Sequence, residues 1–306
     1  MDKENKLKIV QCNIQKRANQ NELEKLLKKV LEQKADIIIF TQYTNALSQE
    51  VENKLQEKGY PKYRIDCFNI NGIAMFISSS IKEEPEFVNL CRTKDKIYPD
   101  LVCAEIDVSS QKIIIAGVRF QNYSFSSLED YVQQFLNYLL FIKEKKPDIL
   151  IGDYNWDSAF YGKDFGGKYM ERTIDLINKK KITDESFFDI QSVISELNIT
   201  IPRYTGRGGQ GIIKFEDSEQ TLCGVLNCVA KDKKYTMWPT DNIEAWSHVK
   251  KKNGRIVGVS SPDRIVYDTN SIIGCEAYYD PPVDRENGFT KEWSSDHAMM
   301  IATLTV

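Results

Sequence analysis

Only two histidines occur in this 306-residue chain, and one of them closes the triplet Ser295-Asp296-His297, just ahead of the apolar run Met299-Met300-Ile301-Ala302. A carboxylate beside an imidazole can hold a metal ion and move a proton from one place. Alone, such a pair is usually a surface accident. Four other polar clusters give it weight: Asn13-Ile14-Gln15 after LKIVQC, Gln42-Tyr43 after ADIIIFT, Gly152-Asp153-Tyr154-Asn155-Trp156 after DILIG, and Ser261-Pro262-Asp263-Arg264-Ile265. Each by itself could be a turn, since Asx residues open turns after strands. Several polar clusters at the ends of apolar strands are what an open α/β sheet uses to build a site.

The elements that must position these clusters are readable from periodicity. LKIVQC, ADIIIFT, IAMFIS (73–78), 101–108, 112–120, DILIG, 256–259, 264–267 and 298–306 have strand character, with Ser109-Ser110 in a hairpin-like turn. Leu23, Leu26, Leu27 and Leu31 recur at helical spacing, and 48–58, 128–145 and 169–180 also read as helices. The helix over 128–145 stops before Pro147. RYTGRGGQG (203–211) reads as a glycine-rich loop and KKKNGR (250–255) as a basic turn. Strands and helices alternate without a repeat or a linker, which predicts one α/β domain over 1–306 with an elaboration around 202–258.

A net charge of -3 gives no whole-chain basic field to draw the protein onto nucleic acid or a membrane. No apolar run is long enough to span a bilayer, and the N-terminal residues lack an apolar signal core. The seven cysteines contain no Cys-x-x-Cys pair, so reduced, buried thiols and a cytoplasmic setting are expected.

The order of the five clusters resembles the endonuclease/exonuclease/phosphatase superfamily, which includes DNase I-like and exonuclease III-like nucleases, deadenylases and inositol polyphosphate 5-phosphatases. The likeness runs from Asn13 to His297, and its most specific parts are GDYN, SDH and SSPDRI, the last being similar to the phosphatase branch. It implies a four-layer α/β sandwich, two stacked mixed β-sheets flanked by helices, with the site at one edge. It also implies a set of roles for phosphodiester hydrolysis, which needs an aligned water and neutralised phosphoryl charge. Asp153 would activate the water and Asn155 would hold the nucleophile or a phosphate oxygen. Asp263 would fix the tautomer of His297, which donates to phosphate. Asn13, Arg119 and Asn122 would contact substrate. Asp296 and Asn13 would hold a divalent ion, Mg²⁺ or Mn²⁺, bound weakly through oxygen ligands.

The sequence departs from the family at the second strand. A Gln-Glu pair there supplies the family's principal metal ligand, whereas this chain reads Gln42-Tyr43, and Gln15 stands where nuclease relatives often have aspartate. The leading expectation is a metal-assisted phosphodiesterase, a nuclease acting on DNA or RNA. A phosphomonoesterase acting on an inositol phosphate or nucleotide, and an inactive module binding a phosphorylated ligand or a protein, remain as alternatives. His248 is assigned to ordinary packing or the surface. Tyr235, Trp238 and Trp246, around Pro239, could pack in the core or stack on bases.

Overall fold

The computed structural model describes residues 5–14, 20–66, 72–88, 99–120, 128–154, 204–207, 213–215, 222–239, 245, 247–252, 255–260, 262–284, 287–289, 293, 295 and 297–306. The elements run β1 (Lys6–Asn13), α1 (Gln20–Glu32), β2 (Ile37–Tyr43), α2 (Asn45–Glu57), β3 (Lys62–Asp66), β4 (Gly72–Ile77), β5 (Glu86–Phe87), β6 (Asp100–Val108), β7 (Gln111–Arg119), α3 (Leu128–Lys145) and β8 (Ile149–Asp153). They continue with β9 (Tyr204–Arg207), β10 (Ile213–Phe215), α4 (Leu222–Val229), β11 (Tyr235–Trp238), β12 (His248–Lys252), β13 (Arg255–Ser260), β14 (Asp263–Asp268), β15 (Gly274–Asp280), β16 (Val283–Asp284), β17 (Gly288–Phe289) and β18 (Met299–Thr305).

Two six-stranded sheets carry the fold, in the orders β15-β18-β1-β2-β4-β3 and β11-β14-β8-β7-β6-β5. Both are mixed: β1 and β2 are parallel, as are β7 and β8, while their other neighbours are antiparallel. Strand residues alternate between faces, and the two faces of the first sheet find different partners. Ile9, Ile37, Ile39, Ile73 and Met75 point inward and meet Val102, Ile115, Ile149, Ile151 and Ile265 of the second sheet. Val10, Ile38, Phe40 and Phe76 point outward and are covered by Leu23, Leu26, Leu27 and Val30 of α1 and by Val51 and Leu55 of α2. On the far side of the second sheet, Phe120 and Tyr154 pack against Tyr138 of α3. The result is helix, sheet, sheet, helix. Burying each large apolar side chain in these layers is worth about 1.5–3 kcal/mol.

The β6–β7 turn is the expected hairpin, a two-residue one in which Ser109 and Ser110 both have positive φ, 53° and 68°, as a type I′ turn requires. Other local readings change. The glycine-rich stretch is partly strand, because β9 pairs with β10. Lys250–Lys252 and Arg255 of the basic stretch are strand, β12 pairing antiparallel with β13. Within 202–258, β11 forms the edge of the second sheet against β14. Tyr235 is buried with its hydroxyl on Pro147 O at 2.8 Å, and Trp238 packs on Tyr279, so both serve the core. The expected helix over 169–180 lies outside the described residues. None of the described helices is long and apolar enough to cross a membrane.

Candidate active site

The sheet registers decide which clusters meet. Asn13 ends β1 and pairs with Thr41 near the end of parallel β2. Asp153 ends β8 and pairs with Arg119 at the end of parallel β7. Asp263 opens antiparallel β14 directly opposite Asp153, and His297 stands two residues before β18, the other neighbour of β1. The same edge of both sheets therefore carries all of them. One ligand atom from each of Asp153, Asp263 and His297 lies within 4.8 Å of the others, in a group that could hold a metal ion.

Asp263 is the hub. Its Oδ2 lies 2.8 Å from His297 Nδ1, and its Oδ1 accepts from Gln11 Nε2 at 3.0 Å. A carboxylate offers only acceptors, so Nδ1 carries the ring proton and Nε2 remains for chemistry. The Asp263 backbone is held as well: Ser247 Oγ accepts from its N–H at 3.3 Å, and its carbonyl accepts from Tyr279 OH at 2.6 Å. His297 is fixed through its own backbone. Its N–H donates to Ser295 Oγ at 3.1 Å, that hydroxyl donates to Asn13 O at 3.1 Å, and its carbonyl accepts from Trp293 Nε1 at 2.5 Å. Asn13 Nδ2 donates to Asp153 Oδ2 at 3.3 Å, linking the two sheets across the site.

Gly152 explains why Asp153 is preceded by glycine. A Cβ at position 152 would lie 1.8 Å from the Val118 carbonyl oxygen. Only glycine lets β8 approach β7 closely enough to seat Asp153 beside Arg119.

Arg119 reaches the predicted edge, but its Nη1 donates to Asp100 Oδ2 at 2.8 Å and both side chains are buried. Its charge is thus opposed by a carboxylate that sequence reading did not single out. Tyr43 is elsewhere. Gln42 adopts φ 56°, and the β2–β4 ladder slips between Thr41 and Tyr43. This bulge turns Tyr43 to the outer face, where its ring is fully buried against Phe40 and Phe76. The half-buried Gln42 is left at the site end of β2. Asn122, Asn155, Asp296 and Gln15 lie outside the described residues.

Sequence reading missed Gln11, Ser247, Tyr279 and His248. Gln11 had a signal: it stands two residues before Asn13 in an apolar strand, hence on the same face. His248 had none. Its ring centroid is 4.7 Å from that of His297, so it packs beside the candidate site, and the two residues form an isolated antiparallel bridge. Cys12, close by, is fully buried, and burial, reinforced by Asp263, pushes its thiol above the usual range. A second buried charge cluster, Asp148 and Asp268 around Lys233, sits at the opposite end of β8 and β14 and ties that end of the sheet together.

No protein-family model and no characterised protein sequence matches the chain. Solved structures do. The zebrafish (D. rerio) TDP2 complexed with single strand DNA product aligns at TM-score 0.56 and 13% identity, over 98% of this chain and 99% of that one. Truncated Caenorhabditis elegans TDP2 aligns at TM-score 0.54 and 13% identity, over 98% of each chain. ANGEL2, a 2′,3′-cyclic phosphatase, in complex with adenosine-2′,3′-vanadate, aligns at TM-score 0.54 and 13% identity, over 98% of this chain and 95% of that one. The chain therefore shares the fold of these structures, the DNase I-like sandwich of two stacked mixed sheets between helices that the resemblance implied.

Proposed function

We propose that the protein is a phosphoesterase that hydrolyses a phosphodiester of DNA or RNA with the help of a divalent metal ion. The observation that carries this reading is the convergence of Asp153, Asp263 and His297 within 4.8 Å at one edge of the paired sheets. The similar folds support it, since TDP2 is described with a DNA product and ANGEL2 with a nucleotide vanadate.

The residues divide the work by what each can still offer. Asp263 is engaged by Gln11 and His297, so it acts on the imidazole rather than on the substrate. In its imidazolium form, paired with Asp263 through Nδ1, His297 donates from Nε2 to a phosphoryl oxygen, where a positioned donor stabilises developing charge. Asp153, held by Asn13, orients the attacking water and accepts its proton. Asn155 and Asn122 join it on the strength of the family resemblance.

The donor set fits a hard cation. Asp153 offers a carboxylate beside the Asn13 amide, and the buried Gln11 Oε1 has no hydrogen-bond partner among the described residues. Asp153 and Asn13, with Asp296 by resemblance, would hold Mg²⁺ or Mn²⁺. When bound, the ion supplies positive charge to the phosphoryl oxygens and makes water more acidic.

The test is cleavage of single- and double-stranded DNA and RNA in Mg²⁺ or Mn²⁺, run beside Asp153→Ala and His297→Ala. Cleavage that depends on both side chains is expected. Equal cleavage by all three proteins would trace the activity to a contaminant and end the proposal.

A further inference from the structure

At the site edge, the second sheet presents one continuous rung of charge. Its members are set by register: Asp100 of β6 pairs with Arg119 of β7, Arg119 with Asp153 of β8, and Asp153 with Asp263 of β14. Residues paired across neighbouring strands point to the same face. Their own strands settle which face it is, because steps of two residues lead from them to Val102, Ile115, Ile151 and Ile265, all in the core between the sheets. The four charged side chains therefore line the inner face where that core opens onto the site, and all four are buried.

The rung holds three acids and one cation. Arg119 stands between two of the acids, Asp100 on one side and Asp153 on the other, each one strand spacing or about 4.8 Å away. A guanidinium pairs well with either. The structure shows which one it takes: Nη1 donates to Asp100 Oδ2 at 2.8 Å. The strand carrying Asp100 is fixed from the opposite sheet, for the next residue, Leu101, donates its N–H to Asp66 Oδ2 of β3 at 3.1 Å. Asp153 instead receives the amide of Asn13 at 3.3 Å, a neutral donor that leaves a carboxylate its charge and further acceptor positions. The difference matters to a base. A guanidinium seated on Asp153 as a fork would occupy both carboxylate oxygens, the same oxygens that must meet the water.

We propose that Asp100 is a positioning residue for the hydrolysis: it draws the Arg119 guanidinium to the far side of the rung and so reserves the Asp153 carboxylate for the attacking water. Arg119 is then a counter-charge within the rung and not a contact to phosphate. This rests on the phosphoesterase reading and adds to it a residue that never meets the substrate.

The experiment begins with Asp100→Asn, which keeps the shape and removes the charge. Arg119 then turns to Asp153, and kcat per folded protein is expected to fall by about 10²–10⁴, the range a general base contributes, with KM little changed. Adding Arg119→Gln removes the misdirected cation and should raise kcat at least about tenfold above the single variant. The urea midpoint reads the same event without turnover. Asp153→Asn should lower it more in the Asp100→Asn background than in the wild type, since only there does it take away the partner of Arg119. Wild-type kcat in Asp100→Asn, no recovery in Asp100→Asn/Arg119→Gln, or additive midpoint shifts would each overturn the proposal. Should Asp100→Asn fail to fold, the double variant, which buries no unpaired charge, decides alone: cleavage supports the proposal, and a folded but inactive protein overturns it. Coupled midpoints with no cleavage by the wild type would keep the hold of Asp100 on Arg119 and remove the hydrolase.

Discussion

Replacing Tyr43 by glutamate separates the sequence's view of this position from the structure's. Read in sequence, Tyr43 stands where a metal-binding carboxylate belongs, and Tyr43→Glu should restore one. In the structure the Tyr43 ring is fully buried beneath the helices, at 6.4 Å from Phe40 and 6.3 Å from Phe76. Losing that ring removes roughly 1.5–3 kcal/mol of burial and about 0.5–1.5 kcal/mol for each aromatic pair. A carboxylate in its place avoids ionising by raising its pKa some 3–5 units, at about 1.36 kcal/mol per unit near neutral pH. The total exceeds about 6 kcal/mol, which rivals the roughly 5–15 kcal/mol that holds a typical domain together. Urea denaturation followed by fluorescence measures it. The introduced glutamate would have a folded pKa above its unfolded value, so the unfolded chain gives up the proton first. The deficit should therefore be smallest below about pH 4 and widen as pH rises towards the folded pKa. Gln42→Glu, one residue earlier at the half-buried bulge, should keep wild-type stability within about 1 kcal/mol. A Tyr43→Glu protein with wild-type stability and new metal-dependent cleavage would refute this reasoning.

Asp263→Asn keeps the shape of the hub but sets an amide N–H against His297 or Gln11, and cleavage should fall by about 10³–10⁴ in kcat with little change in KM. Arg119→Ala strands the buried Asp100 carboxylate, so a loss of about 3–5 kcal/mol in denaturation is expected rather than a simple weakening of substrate binding. Gly152→Ala drives a methyl into the Val118 carbonyl and should leave little soluble protein, while Ser109→Gly, in an exposed turn at positive φ, should hold or raise the melting temperature. Burial pushes the Cys103 thiol up to about 12, so labelling by an aromatic disulfide followed by peptide mapping should miss it in the native protein and reach it once unfolded.

Much of this fold is legible in the sequence because its strands are buried on both faces and rich in β-branched residues. ADIIIFT and DILIG could scarcely be anything else. α3 occupies the predicted 128–145 because its apolar spacing and the proline beyond its end agree. β3 and β15 escaped because each mixes charged and apolar residues along a partly exposed edge, leaving no clean period. Asn13, Asp153, Asp263 and His297 were legible from their places at strand ends. The partners that hold them were not, because Gln11 meets Asp263 across the two stacked sheets and His248 meets His297 through an isolated bridge, each between distant stretches of chain. Tyr43 misled because nothing in Thr-Gln-Tyr announces a left-handed residue. With Gln42 extended, ordinary alternation would put Tyr43 on the inner face.

The hydrogen bond between Asn13 and Asp153 spans the seam between two stacked layers, and so does the one from Gln11 to Asp263. Alignment of the reacting groups is therefore a property of how one sheet rests on the other, rather than of either alone. Any agent that lets the layers slide, such as moderate urea or a cavity opened beneath Ile39, should silence turnover while the secondary structure is still intact. Catalytic rate would then be a more sensitive gauge of this interior than any spectroscopic melt.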